Sequence, residues 1–298
     1  MDALVRETAV ASVAARAKLN LALHVVGRRA DGYHELESLV AFADFGDRLE
    51  IAPAERDAFR VDGPLGAGVP TDAANLVLRA RALARACAAE AGLDLEPLDI
   101  RLTKHLPHAA GIGGGSADAG ALLAWVVARH PSLGPRIAER CVALGADVPM
   151  CLAGEAAVVR GIGERRGRLA ALPALPVVLV NPGVPLATPA VFAGLARRDN
   201  APLPPLPEGF ADLGTLAGYL AATRNDLEPP ACALAPAVAH AVAALQASGA
   251  GFARMSGSGA TVFGLFADRA GAEAAARAIV AERPGWWVRV SCLTGQGR

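Results

Sequence analysis

Residues 107–118, PHAAGIGGGSAD, carry the clearest chemical signal in the chain. Glycine has no Cβ, so successive backbone N–H groups can close around an anion, and a helix that follows adds the positive end of its dipole. No Gly-Lys-Ser/Thr follows, as a Walker loop requires, and Ser116 stands where a dinucleotide fingerprint has its third glycine. The pattern is therefore a phosphate cradle of another kind. Pro107, His108, Ala109, Ala110, Gly111 and Ile112 lead into it, and Gly113, Gly114, Gly115, Ser116 and Ala117 complete it.

Moving a phosphoryl group to an alcohol also takes a cation for the developing charge and a carboxylate to orient or deprotonate the hydroxyl. Lys18, inside an apolar β-branched stretch, is a candidate cation, although an edge lysine reaching solvent has the same sequence. Asp147, between Gly145 and Pro149, is a candidate base and equally a turn former. Asn20 shares a strand with Lys18. Asp31-Gly32-Tyr33-His34 reads as a hairpin turn or as two rings able to hold a planar base. Gly257, Ser258 and Gly259 make a second glycine segment, either a ligand loop or a flexible connection into a strand. ADFG at 43–46 imitates the magnesium-binding triplet of protein kinases. It precedes the glycine loop and no H-R-D loop exists, so it is a chance match at a strand end.

The elements that must position these groups follow from periodicity. Strands are expected at 13–26, 36–45 and 47–51, with a turn at 29–32 between the first two; 53–70 is rich in Pro and Gly and reads as a loop, and 75–91 as a helix. Residues 98–103 alternate as a half-buried strand, and the helix beyond the glycine loop is expected to start with Ser116 as N-cap and Asp118 in its first turn. A helix at 136–144, a strand at 155–160 and a strand at 177–180 come next, then a helix at 235–247 and strands at 260–266 and 286–290. Without a strict βαβ rhythm, the fold class is α+β. Pro punctuation around 169–176 places a domain boundary there, giving domains 1–170 and 171–298.

Lys plus Arg and Asp plus Glu number 29 each, so no positive field for nucleic acid is built. Cys87, Cys141, Cys151, Cys232 and Cys292 show no zinc-ligand spacing and read as buried thiols of a reducing cytosol. The acidic N-terminus lacks a secretory h-region, and the most apolar stretch, 169–180, is far short of the roughly 20 residues that cross a bilayer. A cytoplasmic protein without a membrane partner is expected.

Eight segments in order resemble the GHMP family of small-molecule kinases: AKLNL at 17–21, RADGYHE at 29–35, AGIGGGS at 110–116, LGADVP at 144–149, GIGE at 161–164, NPG at 181–183, NDLE at 225–228 and MSGSGA at 255–260. Within that family they look most like the branch acting on a cytidine-diphosphate-linked methylerythritol in non-mevalonate isoprenoid synthesis. The resemblance implies a ribosomal-S5-like N-terminal half, a ferredoxin-like C-terminal half, and a cleft between them for ATP and substrate. It also implies that Asp147 is the base or orienter, that Lys18 stabilises the transferring phosphoryl, and that Asn20 holds polar groups of the substrate. Tyr33 and His34 would take the cytidine, residues 107–117 the ATP phosphates, and Gly257, Ser258 and Gly259 would close from the other half. His108 and Ala109 depart from the Met and Gly expected in the loop. Mg²⁺ would be held largely by ATP and water, with Ser116 a candidate ligand. The resemblance leaves monomer and homodimer both open, and homoserine- or mevalonate-type kinases share the same fold.

Overall fold

The computed structural model describes residues 10–169 and 172–294; the expected boundary at 170/171 and the N-terminal segment 1–9 lie outside them. Two long antiparallel strands form the backbone of the N-terminal half: β1 (Ala11–Arg28) and β2 (His34–Pro53). The connecting turn closes where Tyr33 O accepts the Arg29 N–H at 2.7 Å, with Gly32 at φ 90°. The two strands expected at 36–45 and 47–51 are one. Gly46 does not end it: a Cβ there would lie 2.0 Å from Ala15 O, so glycine permits the close crossing, and a register shift at Arg16/Lys18 absorbs the bend.

The region 53–70 is not wholly loop. It contains β3 (Ala58–Asp62), parallel to β4 (Leu98–Thr103) at the edge of the sheet. Its apolar signal is two side chains, Phe59 and Val61, packed on the core, too short to stand out among Pro and Gly. Helix α1 (Leu76–Glu90) starts where Asn75 Oδ1 accepts the Val77 N–H at 2.9 Å. Helix α2 (Gly114–Arg129) begins three residues before the expected start. Its N-cap is Gly113, at φ 66°, not Ser116, which falls in the first turn. Only a residue tolerant of that left-handed conformation can deliver the chain into the helix at this angle.

The expected helix 136–144 is α3 (Gly134–Arg140) followed by a 3₁₀ turn to Leu144, after which come α4 (Val148–Ala153), β5 (Ala157–Gly161) and β6 (Arg165–Arg168). The C-terminal half runs β7 (Pro176–Asn181), α5 (Thr188–Ala193), α6 (Leu213–Ala221), α7 (Glu228–Leu234), α8 (Ala237–Ala247), β8 (Phe252–Met255), β9 (Val262–Leu265), α9 (Arg269–Glu282) and β10 (Trp287–Thr294).

The sheet reads β3-β4-β2-β10-β7-β9-β8, with β1 and the β5–β6 hairpin also pairing on β2. The halves join where Leu293 and Thr294 of β10 pair with Ala43 and Phe42 of β2. The ADFG segment serves this seam, since Asp44 Oδ1 accepts the Cys292 N–H at 2.8 Å. One core lies under α1 and α2, a second spans the seam with Leu19, Leu39 and Phe263, and a third fills the C-terminal half around Val180 and Val262. Each fully buried Leu, Ile or Phe contributes about 1.5–3 kcal/mol, so the central strands are held from both faces. Cys87, Cys141 and Cys151 are buried as expected, whereas Cys232 and Cys292 are half-buried. No single helix among the described residues is long and apolar enough to cross a membrane.

Candidate active site

Lys18 and Asp147, 129 residues apart in sequence, meet with Nζ donating to Oδ2 at 2.7 Å. The Lys18 side chain is 5% exposed and that of Asp147 36%, so the ammonium is sequestered while the carboxylate stays open to the cleft. Lys18 is therefore not an edge lysine. Its position is set by the backbone: the Lys18 N–H donates to Ile112 O at 3.0 Å, lacing β1 to the glycine loop. Asp147 is held by the Gly145 turn and forms the N-cap of α4. Gly113 stands opposite the pair, where a Cβ would come 3.4 Å from Lys18 Cβ and 3.7 Å from Asp147 Oδ2.

The glycine loop enters α2 with Gly111 at φ 75° and Ala109 at φ 48°. Pro107 is half-buried and the His108 ring lies on Leu65 O at 3.1 Å, and neither lines the cleft; Ala109 does, in a left-handed conformation that glycine takes more readily. Ala110, Gly111 and Gly113–Ser116 line a cleft of ≈1090 Å³ that also takes in Lys18, Asn20 and Asp147; Ile112 and Ala117 are buried behind it. The first N–H groups of a 16-residue helix thus face the floor on which Lys18 and Asp147 sit.

The second glycine segment is a clasp rather than a flexible connection. A Cβ on Gly111 would lie 2.3 Å from Ser256 O, and one on Gly257 2.8 Å from Gly111 O, so both must be glycine for the loops to touch. Ser256 Oγ accepts the Asn20 N–H and donates to Gly111 O, each at 3.0 Å. Asn225 Nδ2 donates to Met255 O and Gly257 O at 2.8 Å each, and the Ser258 and Thr188 hydroxyls are 2.9 Å apart. Gly257 and Ser258 line the cleft, while Gly259 turns behind it at φ 84°. Asn20 Nδ2 donates to Ser38 Oγ at 2.7 Å, leaving the buried Oδ1 without a partner beside Gly257.

At the other end of the cleft the His34 ring stacks on Phe192, with centroids 4.8 Å apart and an interplanar angle of 26°. Burial, reinforced by Arg28 and Arg198, pushes the His34 imidazole below its ordinary value, and its buried Nε2 has no partner. Tyr33 is 61% exposed at the rim. A flat ring with a hydrogen-bonding edge fits this end.

Phe192, Thr188 and the two cleft arginines escaped the sequence reading, and Ser256 stood in the MSGSGA segment without a role of its own. Phe192 and Thr188 stand in a six-residue helix whose pattern has no chemical signature, and only the fold brings them beside His34 and Ser258. Also unforeseen is a sealed cluster under the start of α2. Lys104 pairs with Asp47 and, at 2.7 Å, with Asp118; Asp47 Oδ1 also accepts the N–H groups of His105 and Leu106 at 2.6 and 2.9 Å. Burial raises the Asp118 carboxyl to about 8 despite Lys104, and its Oδ1 is unpartnered. Burial opposes the charge on Lys104, but the two carboxylates outweigh it and hold the ammonium above its ordinary value. Among the described residues no group of three His, Cys, Asp or Glu side chains is placed to hold a metal ion.

The two-layered halves, the glycine loop opening a helix, and a lysine–aspartate pair on the cleft floor define a small-molecule kinase. Residues 75–155 match the family model described as GHMP kinases N terminal domain, and residues 208–284 that of GHMP kinases C terminal. The chain belongs to the GHMP kinase family, within its branch of 4-diphosphocytidyl-2-C-methyl-D-erythritol kinases. It is 53% identical over 281 residues to the enzyme of that name from Paracoccus denitrificans, covering 94% of this chain and 96% of the relative. It is 51% identical over 280 residues to that of Mesorhizobium japonicum, covering 92% of each. A crystal structure of 4-(cytidine 5'-diphospho)-2C-methyl-D-erythritol kinase superposes with a TM-score of 0.75 at 34% identity, over 96% of this chain and 100% of that one. A homoserine kinase from Cytophaga hutchinsonii, at a TM-score of 0.67, 18% identity, and coverage of 100% and 98%, shares the fold.

Proposed function

We propose that the chain transfers the γ-phosphoryl of ATP to the 2-hydroxyl of 4-diphosphocytidyl-2-C-methyl-D-erythritol, a step in non-mevalonate isoprenoid precursor synthesis. The observation that carries this reading is that one cleft holds the Lys18–Asp147 pair opposite Gly113 and, at its other end, the His34–Phe192 stack. Asp147 accepts the hydroxyl proton or orients the hydroxyl, and Lys18 offsets the negative charge that develops on the transferring group. The orphaned Asn20 Oδ1 takes a hydroxyl of the substrate. His34, stacked on Phe192, reads the cytosine edge, and Tyr33 covers the ring from the rim.

ATP fits the cradle: Gly111 and Gly113–Gly115 line the cleft without side chains, and the N–H groups opening α2 are the donors that a triphosphate needs. Mg²⁺ comes with ATP, neutralising phosphate charge when bound, and Ser116 in the first turn of α2 is the hydroxyl available to it. The cradle spans 107–117, with Gly257, Ser258 and Gly259 closing over it. Domains 1–170 and 171–298, a cytoplasmic location, and a monomer or homodimer belong to the same proposal. The test is a panel of alcohols offered with Mg-ATP. Turnover of the diphosphocytidyl compound alone is expected; turnover of homoserine or mevalonate without it would overturn the assignment.

A further inference from the structure

The charged side chains that line the cleft are Lys18, Arg28, Asp31, His34, Asp147 and Arg198. Most are already engaged. Lys18 is taken by Asp147 at 2.7 Å, and Asp31 by Arg29 at 3.2 Å. The acids next nearest in sequence are engaged too, Glu35 with Arg29 and Arg165, and Asp199 with Arg197. Among the described residues Arg28 and Arg198 form no ion pair; Arg28 has one long contact, Nε to Gly32 O at 3.5 Å, and Arg198 has no hydrogen bond. Two guanidiniums without an anion therefore stand at one end of a cleft.

Their placement is built into the fold. Arg28 is the cross-strand partner of His34 in the β1–β2 register, so both rise from the same rung of the hairpin. Arg198 comes from the loop after α5, which is pinned to the same strand: the Asn200 N–H and Nδ2 both donate to Val25 O at 3.1 Å, and the His24 ring holds Ala201 O at 2.9 Å. The two arginines come from opposite halves of the chain and flank one imidazole, on which both act as neighbouring positive charges.

We propose that Arg28 and Arg198 form a clamp for a diphosphate attached to the base held at His34 and Phe192, and that this clamp selects a nucleoside-diphosphate-linked alcohol over a free one. The inference rests on the proposed function for the placing of the base. A diphosphate linked to that base starts one sugar away from it, within the reach of long side chains that line the same cleft and act on the same imidazole. Planar guanidiniums take phosphate oxygens two at a time, which a single ammonium cannot do. The ATP phosphates have their own donors at the start of α2, so the two anionic groups are handled separately. Because both arginines are partly solvent-exposed, their pull on a diphosphate is weakened by salt.

The experiment is calorimetric titration of cytidine and of cytidine diphosphate into the full-length protein saturated with a non-hydrolysable ATP analogue, for wild type and Arg28→Ala/Arg198→Ala. Wild type is expected to bind the diphosphate roughly tenfold or more tightly than the nucleoside, a margin that shrinks as salt rises. The double variant should bind cytidine as wild type does, lose that margin, and keep its thermal midpoint. A margin that persists in the double variant overturns the clamp. Kinetics separate this from failure of the functional reading: if wild type does not phosphorylate the diphosphocytidyl alcohol, the assignment falls while the titration still judges the arginines. If it does, the variant must show a raised KM for that alcohol with an unchanged KM for ATP, and an unchanged alcohol KM counts against the clamp.

Discussion

Two lysine–aspartate clusters lie within the same half of this molecule, and their chemistry differs only through access. Lys18 and Asp147 meet on the cleft floor, with the carboxylate open to a substrate. Lys104 with Asp47 and Asp118 is sealed beneath α2, each side chain 4% exposed or less. Both rest on strand residues paired across long sequence separations. An open carboxylate can exchange a proton with a bound alcohol, whereas a sealed one can only hold its partners in place. The sealed cluster fixes the start of the helix whose N–H groups the open one faces: a Cβ on Gly114 would lie 3.6 Å from both Asp47 Oδ2 and Lys104 Nζ.

The contrast breaks first at Lys104. Lys104→Met strands the buried Asp47 carboxylate and takes the hydrogen-bond donor from Asp118, and the loss of a buried partner costs about 3–5 kcal/mol, so urea denaturation should show a large drop in midpoint. If the midpoint is unmoved, the cluster is not structural. Next in size, Asp147→Asn should lower kcat by roughly 10²-fold or more while leaving the thermal midpoint near that of wild type. Retained turnover would deny Asp147 its role.

Third, the sealed cluster should impose a pH dependence on stability. The Asp118 pKa is raised in the folded state from 3.8 to about 8, so across that window the folded protein holds a proton that the unfolded chain has released. Stability therefore falls as pH rises through the window. Asp118→Asn should flatten the urea midpoint against pH, because its carbonyl still accepts from Lys104 and no charge remains to titrate. Last, and smallest, is His24, whose pKa burial lowers beneath its ordinary 6.5. Its contribution is complete above that value and is lost as pH falls through it toward the folded pKa. A ring shift followed by NMR should titrate below pH 6.5; titration above it would contradict the sealed environment.

Much of the site was legible because its parts are local. Gly111–Ser116, DGYH at 31–34 and MSGSGA at 255–260 announce themselves within a few residues, since backbone freedom and turn chemistry are written next to one another. The strand at 98–103 and the one expected at 177–180, which runs 176–181, were readable for the same reason. Ser116 was misread as a cap because hydroxyls usually fill that place, while Gly113 at φ 66° holds it here. Edge strand β3 escaped because two apolar side chains in a Pro- and Gly-rich stretch carry little periodicity.

The sequence alone determined which groups are present: a glycine cradle, a lysine in an apolar strand, an aspartate after a glycine turn, and an even balance of charge. It left open whether Lys18 reaches solvent from a sheet edge or faces a cleft, because both placements have the same local sequence. That was decided by tertiary structure, which turned Asp147 toward the cleft and Asp118 away from it. The same long-range packing set Phe192 on His34 and brought Arg198 and Arg28 into one cleft near the same imidazole, meetings between halves that no local spacing encodes. Backbone chemistry is short-ranged and can be read in order, whereas the meeting of side chains across a hundred residues depends on how the strands register and the cores fill.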